Sequence, residues 1–202
     1  MTLDELAASL EEIRRRFVAL ADGARIAGPV HGFADDRLGY FLPHDTDNPH
    51  PGHWCLVYSE RGSRDVRAVT DTEDDLRWLL VESMLQNAAT TWELHHRVPH
   101  VDSRRTWFAK MAEWIAAYWP HWSTRLAAHQ AAILAVAPLD DDQTVFVEFL
   151  GTLTFAQKQA VWALDDASGE RFRGAVLARF RTTLDLPDLR DVEALSGITL
   201  GR

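Results

Sequence analysis

A chain of 202 residues, 47% hydrophobic and 25% charged, is ordinary globular material, and that composition excludes global disorder. Twenty-one basic residues against thirty acidic ones leave a net charge of −9, so the clustered cations of a phosphate-binding surface are not expected and nucleic acid is a poor ligand. The single cysteine, Cys55, cannot close an internal disulfide, no apolar run is long enough to span a membrane, and the opening Met1-Thr2-Leu3-Asp4-Glu5 puts acids where a signal peptide wants Lys or Arg. A cytoplasmic protein with no membrane partner is the expectation.

In chain order, Leu3, Leu6, Leu10, Ile13, Phe17 and Leu20 alternate steps of three and four, which predicts a packed helix over 2–21. Thr2 with Glu5 reads as its capping box and Asp22-Gly23 as its stop. Residues 25–53 are rich in Gly and Pro and read as loop, with one short strand at Leu38–Leu42. The aromatic and β-branched run His53–Ser59, the turn Glu60-Arg61-Gly62-Ser63 and the segment Arg64–Val69 predict a β-hairpin.

From residue 72 the pattern is helical. Thr72 with Asp75 caps a helix with a face from Leu76 to Val98, stopped by Pro99. Asp102 caps the next, whose Trp107, Trp114 and Trp119 have core spacing, and Pro120 stops it. A third runs from about Trp122 to Val136. Residues 144–153 fit strand or helix, Thr154 with Gln157 forms another capping box, and Gly169–Leu184 makes a last amphipathic helix. The fold class is therefore α+β and helix-dominated, with a small antiparallel hairpin or sheet in the N-terminal third packed on an α-helical bundle. A single domain over 1–202 is expected.

Nine histidines raise the question of a metal. A zinc site needs three or four converging ligands, and neither C-x-x-C nor H-E-x-x-H occurs, so neither metal nor cofactor is expected. No nucleophile motif or phosphate loop appears, and Cys55 lies in an apolar strand where a thiol is inert packing. An enzyme remains the alternative, a helical bundle binding a metal or ligand through histidines such as His95, His96, His121 and His129. One constellation is less bland: Glu93 and Arg97 are i, i+4 partners, Asp102, Arg104 and Arg105 open the following helix, and Glu60, Arg61 and Gly62 sit at the hairpin turn. Arg suits bidentate carboxylate pairing at partly buried sites, so these residues read first as an ion-pair network tying hairpin to helices, with direct binding as the alternative.

The same residues carry a resemblance. Ser59-Glu60-Arg61-Gly62, Thr70-Asp71-Thr72, Trp78-Leu79-Leu80, Trp92-Glu93-Leu94-His95-His96-Arg97 and Asp102-Ser103-Arg104-Arg105, continuing to Pro138-Leu139-Asp140-Asp141, resemble the immunity protein 63 family of bacterial polymorphic toxin systems over about 52–142. An N-terminal helix (2–21) and a C-terminal helical extension (143–202) lie outside it. The resemblance implies a protein that binds and neutralises a cognate toxin, and no catalytic residues. The negative charge adds the expectation of a basic toxin steered toward Asp71, Glu73, Asp74 and Asp75, although acids in the first turn of a helix are also explained by its dipole.

Overall fold

The computed structural model describes residues 2–23 and 25–200. Contacts divide the chain into two compact units, residues 1–97 with 107–131 and residues 98–106 with 132–202.

In the first unit α1 (Leu3–Leu20) starts at a closed capping box: the Thr2 hydroxyl accepts from the Glu5 N–H at 3.2 Å and the Glu5 carboxylate accepts from the Thr2 N–H at 2.7 Å. Its stripe of Leu6, Leu10, Ile13 and Phe17 is buried. Four strands follow, β1 (Val30–His31), β2 (Arg37–Phe41), β3 (Trp54–Glu60) and β4 (Ser63–Thr70), and they lie in that order in one sheet. The pairs β2–β3 and β3–β4 are antiparallel as expected. β1 instead runs parallel to β2, with Val30 opposite Gly39, so the sheet is mixed. Two residues are too few to carry a periodic signal, which is why this strand was not legible. At the hairpin turn Arg61 and Gly62 have φ of 49° and 84°, the two positive dihedrals that a two-residue type I′ turn requires.

α2 (Glu73–His95) buries Leu76, Trp78, Leu80, Val81, Met84, Leu85, Ala88 and Ala89. These positions run round the helix instead of along one stripe, so α2 sits inside its unit, packed by α1, β3 and β4. It ends at His95, three residues before the expected Val98. α3 (Ser103–Tyr118) and α4 (Ser123–Val136), joined by a 3₁₀ turn at Pro120–Trp122, each lend residues to both units. To the first unit they give the buried Phe108, Met111, Trp114, Ile115, Trp122 and Leu126. Trp114 is core, whereas Trp107 and Trp119 are half-buried.

The second unit is built on α5 (Asp141–Thr152), α6 (Phe155–Trp162), α7 (Asp166–Thr183) and α8 (Leu189–Ser196). The ambiguous stretch 144–153 is helix: the Asp140 carboxylate accepts from the Gln143 N–H at 2.7 Å, and Val145 and Phe149, four residues apart, turn inward together. Thr154 and Gln157 close their predicted box. α7 begins three residues before the expected Gly169 because Asp165 accepts from the Ser168 N–H at 2.7 Å. α8 follows unanticipated and ends at Gly197 in the left-handed conformation. Val145, Phe149, Phe172, Val176 and Val192 form the centre of this core. The last two residues of the extension 143–202 lie outside the described residues. Among the described residues no helix is long and apolar enough to cross a membrane.

Candidate functional site

The residues singled out by the sequence fall into separate groups. Just past the end of α2, Arg97 pairs back to Glu93 on its last turn through two bonds, Nε to Oε1 at 3.0 Å and Nη2 to Oε2 at 3.2 Å. Glu93 is only 3% exposed, so the guanidinium satisfies a carboxylate that burial would otherwise penalise. Glu60, Arg61 and Gly62 stand exposed at the tip of the β3–β4 hairpin, and among the described residues neither Glu60 nor Arg61 makes an ion pair. The expected tie from hairpin to helices is therefore not what these two residues form. A two-residue turn at the end of a strand pair projects its side chains into solvent, and only the alternation of charges in the sequence links them to Glu93.

Asp102 is the centre of the second group. Its Oδ1 accepts from the Arg104 N–H and from Arg104 Nε, both at 3.0 Å, and its Oδ2 accepts from Arg104 Nη2 at 2.6 Å and from the Asp140 N–H at 3.0 Å. The Arg104 guanidinium reaches on to the carbonyl oxygens of Ala137 and Pro138. The Asp102 N–H donates to the Asp141 carboxylate at 2.8 Å, which also takes Arg105 at 3.0 and 3.1 Å. Hydrogen bonding from Arg104 first, then from the two backbone amides, holds the Asp102 carboxyl at about 2, against an opposing effect of burial. These contacts fix the start of α3 to the connection between α4 and α5. The partners missed by the sequence reading are the carbonyls of 137 and 138 and the carboxylate of Asp141. The acidic turn after Pro138 was the available signal, an acid run facing two consecutive arginines.

The acids at the start of α2 are already partly answered. Asp71 lies 2.8 Å from His53 Nδ1, Asp75 accepts from the Thr72 hydroxyl at 2.6 Å and pairs with Arg125 at 2.8 Å, and Asp74 stands 3.9 Å from the same arginine. Glu73 lies 3.8 Å from Arg77. The hydrogen bond from Thr72, then Arg125, lowers the Asp75 carboxyl below its ordinary range. The ridge keeps an acidic surplus, but it is laced with arginine.

The four candidate histidines occupy different positions on the chain. His95 and His96 end α2, and His96 stacks on Trp92 with ring centroids 4.0 Å apart. His121 is in the 3₁₀ turn beside Trp122, and His129 on α4 lies 3.3 Å from Glu82. Burial raises the Glu82 carboxyl above its ordinary value, with His129 opposing. Among the described residues no three His, Cys, Asp or Glu side chains are grouped so as to hold a metal ion.

Residues 51–132 match the family described as Immunity protein 63, which bears out the resemblance over that segment, less than half of the chain. The match stops ahead of the Pro138–Asp141 turn. Comparison with curated proteins and with solved structures finds no match.

Proposed function

We propose that this chain, whose segment 51–132 is of the immunity protein 63 family, is a cytoplasmic immunity protein that neutralises a toxin by stoichiometric binding and catalyses nothing. The family match carries this reading. The fold supports it in physical terms, because an inhibitor of this kind needs a preorganised surface: interface backbones in tight complexes move little on binding, and the matched segment is anchored by a helix, α2, that is buried nearly all round. A stable interface of this kind covers roughly 1,600 Å² and depends on a few buried anchors.

The net charge of −9 points to a basic toxin approached under electrostatic steering. The ridge Asp71, Glu73, Asp74 and Asp75 is the proposed steering surface, with its arginines lowering the field it projects. Co-expression of the chain with its cognate toxin domain tests the function: growth is rescued in proportion to the amount of this chain, and absence of rescue at excess contradicts the proposal. Steering is tested separately. Replacing Glu73, Asp74 and Asp75 by Gln and Asn slows association and leaves the lifetime of the complex nearly unchanged, and the wild-type association rate falls with added salt. An association rate indifferent to salt contradicts a basic partner.

A further inference from the structure

A groove of about 310 Å³ lies in the first unit between α1 and the open edge of the sheet, lined by Leu3, Ala7 and Leu10 on one side and by Pro29, Val30 and Tyr40 on the other. Its lining is apolar apart from a few groups, the usual make-up of a ligand cleft. Two of those polar groups lack partners. Tyr40 is 2% exposed, yet its hydroxyl makes no hydrogen bond among the described residues. Among the described residues the polar side-chain atoms sealed from solvent without a partner belong to Ser59, Trp122 and Arg173, so the Tyr40 hydroxyl is not sealed, and Tyr40 is one of the residues lining the groove. A buried phenol ordinarily finds a partner. Asp4 stands at the groove wall and makes no ion pair among the described residues, whereas Glu11, also in the lining, is held at 2.7 Å by both Nε and Nη2 of Arg14. His31 Nε2 is likewise engaged, 2.6 Å from Asp45.

We infer that this groove receives an arginine side chain of the partner protein, its aliphatic stem on Ala7, Leu10 and Val30 and its guanidinium shared between the Asp4 carboxylate and the Tyr40 oxygen. The assignment rests on the toxin-binding reading above for the source of the arginine. An acidic ligand would meet Asp4 and Glu11. A purely apolar one would bury the Tyr40 hydroxyl unpaired. Lysine offers a compact, strongly hydrated charge, while arginine offers five donors, no acceptor and a weakly hydrated plane that tolerates an apolar cleft.

The test uses the full chain and a small probe. Acetyl-arginine methylamide is titrated into the protein while the methyl signals of Ala7, Leu10 and Val30 are followed by NMR, with acetyl-citrulline methylamide as the neutral isostere. Saturable shifts with the arginine compound are expected, with affinity about tenfold weaker in Tyr40→Phe and about threefold weaker in Asp4→Asn, and little response to citrulline. Tyr40→Phe keeps the ring, so an unchanged melting curve shows that the variant is folded. No shift at these methyls, an equal response to citrulline, or unchanged affinity in Tyr40→Phe overturns the inference. No toxin enters this experiment, so its failure overturns the groove's role alone, whereas failed rescue of growth overturns the reading on which it rests.

Discussion

In the first unit the charged side chains stand round an apolar centre: α2 buries eight hydrophobic residues on several faces, and the Glu93–Arg97 pair sits at its far end. In the second unit an ion pair is part of the frame. Asp102 takes four hydrogen bonds from Arg104 and from the backbone of 104 and 140, while Phe149, Phe172 and Val192 form a smaller core beside shorter helices. Apolar burial is indifferent to pH and is strengthened, if anything, by salts that salt proteins out. A carboxylate that organises a helix start by accepting hydrogen bonds loses that role when it is protonated. The two regions therefore answer to different solvent conditions, and substitutions can expose the difference.

The largest effect belongs to the cores themselves. Leu80→Ala in the first unit and Phe172→Ala in the second, both fully buried, each destabilise by about 3–5 kcal/mol, measured by urea denaturation at two pH values with no dependence on which is used. A smaller loss, complete at neutral pH and shrinking in acid, is expected at Asp102. Its carboxyl is held at about 2 against an ordinary 3.8, so its contribution is complete above the ordinary value and disappears as pH falls from near 4 to near 2. Asp102→Asn accordingly destabilises by about 2 kcal/mol at neutral pH, and the gap to wild type closes in that acid window. A gap independent of pH would show that the carboxylate's charge is not what organises the turn.

How far these regions were legible in the sequence follows from where their signals lie. Capping boxes at Thr2 and Thr154 and the hairpin turn at Arg61-Gly62 are local, and each was readable because its residues are within three positions of one another. The parallel pairing of β1 and the bonds from Arg104 to the carbonyls of 137 and 138 join residues nine and more than thirty positions apart through backbone atoms, which no side-chain pattern reveals. The same limit explains why Glu60 and Arg61 were grouped with Glu93 and Arg97: alternating charges suggest pairing but not the partner. α8 was not legible for a different reason: it is eight residues long, like α6, but its N-cap Asp188 makes no side-chain capping bond of the kind that marks α6.

A third, weaker effect has the opposite sign. Burial raises the Glu82 carboxyl, so the stability tied to its neutral form is complete below the ordinary glutamate range and is lost as pH rises through the raised value. Glu82→Gln is neutral at every pH and is expected to be more stable than wild type near pH 7 by up to about 1 kcal/mol, with no difference near pH 4. Loss of stability at pH 7 would mean that the contact with His129 outweighs burial. Arg105→Ala has the smallest effect. Its pair with Asp141 is half in solvent, at 48% and 43% side-chain exposure, and exposed pairs contribute little. The denaturation midpoint stays close to wild type, and a large shift would place Arg105 inside the frame that Asp102 and Arg104 form.

The central claim, neutralisation by stoichiometric binding, is tested most directly by titrating a fixed amount of active toxin with this chain and reading the residual toxic activity. A linear fall to zero with a break at a fixed molar ratio of chain to toxin is expected, with recovery of active toxin when the complex is dissociated. Complete inactivation by a small fraction of that ratio, increasing with incubation time and persisting after the chain is removed, would contradict it and identify the chain as an enzyme.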